Sequence, residues 1–133
     1  MKKTILLWVF SVILIACGRP SAKERLENIT EITLPADYEV LSNSHQQMGK
    51  DFFIQYDIQF TPDSTQQMIE QIRSSKFYSK AGAQTLYDSI WYEDQNLYKF
   101  DARSETGDKK YAIVFNPSSG FLSYTEYSER MKL

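Results

Sequence analysis

Few residues in this 133-residue chain have the types and spacings that chemistry needs. The single histidine, His45, sits in the polar run Asn43-Ser44-His45-Gln46-Gln47, and no nucleophile or carboxylate is spaced to make it a general base. Carboxylates are plentiful: Asp51, Asp57, Asp88, Glu93, Asp94 and Asp101 fall on or beside segments with strand character. A glycosidase-type site needs two of them facing each other about 5–10 Å apart, which spacing along the chain does not specify. Asp94-Gln95-Asn96 lacks the alternating acids and terminal Glu of a calcium loop and reads as a turn. There is no G-x-S-x-G, Ser118-Ser119-Gly120 reads as a turn, and no glycine loop is suited to cradling a phosphate. The expectation is a protein without catalytic residues, metal site or cofactor. A small envelope hydrolase using strand carboxylates is the alternative.

Aromatic side chains are the compositional excess, at 14% of residues. Tyr87, Trp91, Tyr98 and Tyr124 fall in the strand-rich part and form the candidate binding face. On an exposed surface, Tyr and Trp stack on sugars or anchor a protein partner. They also fill the core of a small sheet, and that reading competes. With 15 basic against 17 acidic residues, the chain lacks the basic balance of a nucleic-acid binder. Its one cysteine, Cys17, excludes an intrachain disulfide framework and any CxxC zinc site.

The amino terminus is more informative. Lys2 and Lys3 precede Ile5 to Ala16, a twelve-residue stretch broken only by Ser11. As a helix this stretch spans about 18 Å against roughly 30 Å of hydrocarbon, too little to cross comfortably. A basic start followed by a short apolar run is instead the pattern of an export signal. Where a small-residue cleavage site belongs, the chain reads Leu14-Ile15-Ala16-Cys17.

That quartet resembles the lipobox of bacterial lipoproteins: an aliphatic residue, a permissive position, a small residue and then cysteine. The resemblance covers the signal alone. It implies diacylglyceryl transfer to the Cys17 thiol, cleavage between Ala16 and Cys17, and acylation of the new amino terminus. One acyl chain holds a protein only reversibly, at about 0.8 kcal/mol per buried CH₂, whereas two or three anchor it firmly. An acylated Cys17 has no thiol chemistry left. Gly18, not Asp, follows the cysteine, which under the enterobacterial sorting rule favours the periplasmic side of the outer membrane over the inner membrane. Cleavage removes Lys2 and Lys3, leaving 13 basic against 17 acidic residues and a formal charge of -4. Such a body is repelled by anionic headgroups.

Three segments follow: a signal peptide over 1–16, a lipidated cysteine and flexible tether over 17–33, and a single α+β domain over 34–133. A coiled tether from Gly18 to Thr33 would hold the domain about 20–24 Å from the lipid; Ala22 to Ile29 could form a short helix within it, with only the thin apolar stripe of Leu26 and Ile29. Within the domain, Asp37 to Ser42 reads as a first strand and Asn43 to Lys50 as a loop. Asp51 to Phe60 alternates as a half-buried strand. Thr61-Pro62-Asp63 starts a helix that runs to Arg73 and buries Met68, Ile69 and Ile72. Strands over 86–93, 97–103, 109–116 and 121–128 are joined by short turns and form a meander. The expected fold is therefore an antiparallel sheet of two strands, one helix and a four-stranded meander. Six strands make a sheet roughly 25 Å wide, while one helix is about 10 Å across. Either the sheet curls around its helix or an apolar region is left for a partner. The functional expectation is a non-catalytic, membrane-anchored envelope lipoprotein whose sheet binds an envelope protein or glycan. A periplasmic inhibitor or immunity-type protein is a further alternative.

Overall fold

Alternation of side chains builds the sheet. The structure, a computed structural model, describes residues 20–80 and 89–128. In β1 (Tyr38–Met48) and β2 (Asp51–Phe60), Gly49 and Lys50 make a two-residue hairpin turn. Gly49, at φ 63°, takes the first central position, where the chain must turn left-handed. Along β2, Ile54, Tyr56, Ile58 and Phe60 are buried, while Phe53, Gln55, Asp57 and Gln59 alternate onto the other face. The later strands are β3 (Ser89–Asp94), β4 (Leu97–Arg103), β5 (Lys109–Asn116) and β6 (Phe121–Ser128). They form an antiparallel meander, and β6 returns to pair with β2 from Phe53↔Tyr127 to Gln59↔Phe121. The sheet order is β1-β2-β6-β5-β4-β3.

Two helices cover one face of this sheet. In α1 (Ala22–Thr30), the Ser21 hydroxyl accepts from the Glu24 N–H, and Glu31 ends the helix in the left-handed conformation. Leu26 is fully buried, as is Thr30, whose hydroxyl donates to the Leu26 carbonyl at 2.7 Å. In α2 (Pro62–Ser74), Thr61 caps the start and Pro62 occupies the first turn. Met68 and Ile72 are its fully buried apolar residues. Gly120, at φ 78°, lets the β5–β6 loop approach α2, where a Cβ would lie 2.5 Å from Thr65 Oγ1.

The expected arrangement is overturned in two respects. There are two helices, not one, and the sheet is open, with β1 and β3 as its edges, not curled. The two corrections share a cause. Two helices, each about 10 Å wide, cover most of a sheet roughly 25 Å wide, so curling is unnecessary. The extra helix comes from the segment read as a tether, because Ala22–Thr30 is docked on the sheet. A third correction concerns β1, which continues to Met48 through residues read as a loop. Backbone pairing such as Ser44↔Gln55 and His45↔Ile54 satisfies the chain there, while most side chains stay in solvent.

An ion pair with a buried carboxylate and a half-buried guanidinium fixes α1. Glu126 on β6 is 1% exposed and accepts from Arg25 Nη1 at 2.8 Å and from the Tyr124 hydroxyl at 2.9 Å. Removing one partner of a buried pair leaves the other charge uncompensated, whereas replacing both with apolar groups is often neutral. Arg25→Ala should therefore lower unfolding stability by about 3 kcal/mol, and Arg25→Met with Glu126→Leu should recover most of that loss. Urea denaturation reads both, and a loss below about 0.5 kcal/mol for Arg25→Ala would remove the pair from its role.

Candidate functional site: an uncovered strand edge

The aromatic binding face does not survive folding. Trp91 and Tyr124 are fully buried, and Tyr98 is 4% exposed. All three point into the helix-covered core, where Trp91 packs on Phe100 at 5.1 Å between ring centroids and Tyr98 on Phe115 at 6.2 Å. Their alternation was legible in the sequence, but which face the helices cover was not. Trp91 Nε1 is buried and has no hydrogen-bond partner among the described residues. Tyr87 lies outside the described residues, as do the signal over 1–16, with its cleavage residue Ala16, and Cys17.

The strand carboxylates are dispersed, each beside its own donor. Asp51 accepts from Ser128 Oγ at 3.1 Å, and Asp57 from Ser123 Oγ at 2.6 Å and Gln55 Nε2 at 2.9 Å. Glu93 takes the Tyr78 hydroxyl, Asp94 the Lys99 ammonium and Asp101 the Tyr92 hydroxyl. Asp88 lies outside the described residues. No group of three or more His, Cys, Asp or Glu side chains suited to a metal ion occurs among the described residues. His45 is exposed on β1.

Tyrosine hydroxyls carry the largest electrostatic shifts. Burial, together with the Asp101 carboxylate that accepts its proton, pushes Tyr92 up to about 12. Burial also raises Tyr124, reinforced by Glu126, and raises Tyr56, reinforced by Tyr38. None of these phenols is poised to lose a proton at neutral pH, and the Tyr92 and Tyr124 hydroxyls act there as donors, to Asp101 and Glu126.

The two sheet edges differ. On β3, residues 77–79 run alongside: Trp91 N–H donates to the Phe77 carbonyl at 2.8 Å, and Ser79 N–H to the Trp91 carbonyl at 2.9 Å. On β1, no described strand lies beyond the outer edge. Natural edges are commonly blunted with lysine, proline, a bulge or brevity. β1 is 11 residues long and has neither lysine nor proline; its one such device is the irregularity between Val40 and Ser42. Its run from Leu41 to Met48 carries no acid, lysine or arginine. Val40, Leu41 and Met48 are 48%, 51% and 67% exposed, giving the edge apolar contacts near both ends. Residues that could recognise another chain are thus backbone groups on a polar strand, a signal that a search for catalytic side chains passes over.

No protein-family model, curated protein or solved structure matches this chain. No helix among the described residues is long and apolar enough to cross a membrane.

The tyrosine shifts set a pH dependence. A phenol whose folded pKa exceeds its unfolded value near 10 contributes stability that is intact below about pH 10 and lost as pH rises further. Unfolding stability should therefore fall from about pH 10 upward, and Tyr92→Phe should shrink the loss between pH 10 and about 12. Denaturation midpoints measured from pH 8 to 12 check this, and an unchanged slope in Tyr92→Phe would contradict it.

Proposed function

We propose that this chain is a lipid-anchored lipoprotein of the bacterial envelope, without catalytic activity, that binds an extended segment of another envelope protein as an added strand on β1. The observation that carries the binding reading is the outer edge of β1, 11 residues long, almost uncharged and paired with no strand among the described residues. Strand addition gains affinity from main-chain hydrogen bonds and specificity from alternate side chains. The partner's chemistry follows from the edge. It is a polypeptide in extended conformation, with apolar side chains to meet Val40 and Leu41 and uncharged polar ones along Asn43 to Gln47.

The anchor rests on the lipobox resemblance at Leu14-Ile15-Ala16-Cys17, and the favoured address is the periplasmic side of the outer membrane. Gly18 to Ser21 are the four residues between an acylated Cys17 and the start of α1. Fully extended, four residues reach about 14 Å, so the docked helix holds the domain close to the lipid surface.

Both parts can be tested in intact cells. Palmitate should label the wild type and not Cys17→Ser; equal labelling of the two, or none in either, contradicts the anchor. A photo-crosslinking residue at Gln46 should give one defined protein adduct, and the same residue at Lys99 should not. Asn43→Lys with Gln47→Lys should abolish that adduct while leaving the unfolding free energy within about 0.5 kcal/mol of wild type. Persistence of the adduct in the charged variant, or its absence from Gln46, would overturn strand addition.

A further inference from the structure

We propose that a cleft at the β1–β2 turn end of the sheet binds a phosphodiester that also carries an ammonium group, of the glycerophosphoethanolamine type. The cleft measures about 500 Å³ and opens between the β1–β2 turn, the β4–β5 turn and the end of β6. Lys50, Lys109, Asp51, Asp108 and Phe52 are among its lining residues.

Its cations are available. Among the described residues, Lys23, Lys76 and Lys99 each have a carboxylate within 4.0 Å, whereas Lys50 and Lys109 have none. Lys109 Nζ lies 5.5 Å from the centroid of the Phe52 ring, which keeps the ammonium over the cleft wall. The two carboxylates are held in place by hydroxyl donors. Ser128 Oγ donates to Asp51 Oδ1 at 3.1 Å, and Ser104 Oγ to Asp108 Oδ1 at 2.8 Å. The Thr106 and Ser104 hydroxyls hold Asp108 below the ordinary carboxylate range, so it is ionised at neutral pH and accepts hydrogen bonds.

Two cations and two carboxylates in one cleft select against a plain anion, which would meet Asp51 and Asp108 as well as the lysines. A ligand carrying both charges satisfies both sets: phosphate oxygens toward Lys50 and Lys109, ammonium toward Asp51 and Asp108. Phe52, half-buried, offers an apolar wall to the carbons between them. Arg25 of α1 grips Glu126, and the next side chain on that face of β6 is Ser128, about 7 Å further along. The Arg25 side chain, from the helix that follows the proposed anchor, therefore reaches the β6 residue one repeat before the cleft. The proposed envelope location enters only in the ligand's source, a lipid headgroup or a soluble diester with the same chemistry.

The test titrates the purified full-length protein in nonionic detergent with glycerophosphoethanolamine, following the amide resonances of Thr106 and Ser128. Saturable binding is expected, weakened about tenfold for glycerophosphoglycerol, which lacks the ammonium, and about as much by Lys50→Ala or Asp51→Asn. A short-chain phosphatidylethanolamine that binds more tightly than the diester supports the proposal with a lipid as the source. Equal binding supports it with a soluble ligand. No saturable binding, equal affinity for glycerophosphoglycerol, or unchanged affinity in both variants overturns it. None of these readouts depends on acylation of Cys17 or on strand capture, so this proposal and the envelope reading fail separately.

Discussion

The placement of α1 depends on one buried contact, the grip of Arg25 on Glu126. A carboxylate that is 1% exposed needs compensation, and the Arg25 guanidinium and the Tyr124 hydroxyl supply it from two directions. A pair of this kind is weak evidence for high stability, because the Glu126 charge must leave water altogether and the Arg25 charge in part. What it does is specify position. An apolar stripe of Leu26 and Ile29 is narrow enough to slide on a sheet, and the ion pair selects one placement of the helix across β6. With α1 there, the sheet has enough cover to stay open, and openness is what leaves β1 as an edge with no further strand among the described residues.

How much of this was legible in the sequence follows from where each force originates. The alternation of β2 and the spans of β4, β5 and β6 were readable because a half-buried strand writes its period into consecutive residues. The start of α2 was readable because Thr61, Pro62 and Asp63 act locally. For α1 the sequence offers only the thin Leu26 and Ile29 stripe of a short helix over Ala22 to Ile29; its docking was hidden because it depends on Glu126, 101 residues away, and on Thr30, whose hydroxyl is consumed inside the helix. The far half of β1 was hidden because an edge strand with wet side chains has no hydrophobic period. One signal could have found it. A tight turn at Gly49 opposite the ten residues of β2 calls for a partner strand of similar length.

The aromatic residues teach a related lesson about faces. Trp91, Tyr98 and Tyr124 have the chemistry of a binding surface, and on an uncovered face they would be one. Period-2 alternation assigns residues to two faces without saying which face a helix will occupy. Once α1 and α2 cover the face that holds Ile54, Tyr56 and Ile58, the cross-strand register puts all three aromatics in the core. In the proposed reading, recognition then passes from side chains to backbone. Covered by residues 77–79 at Trp91, the β3 edge is blunted, and among the described residues β1 is the edge without a neighbouring strand.

Hydrogen exchange compares the outer edge of β1 in its two settings most directly. Amides of β1 that point away from β2 should exchange quickly in the purified protein and be protected in native membrane fragments, while the amides of β5 stay protected in both. Equally fast exchange of those β1 amides in both settings would contradict a strand bound there.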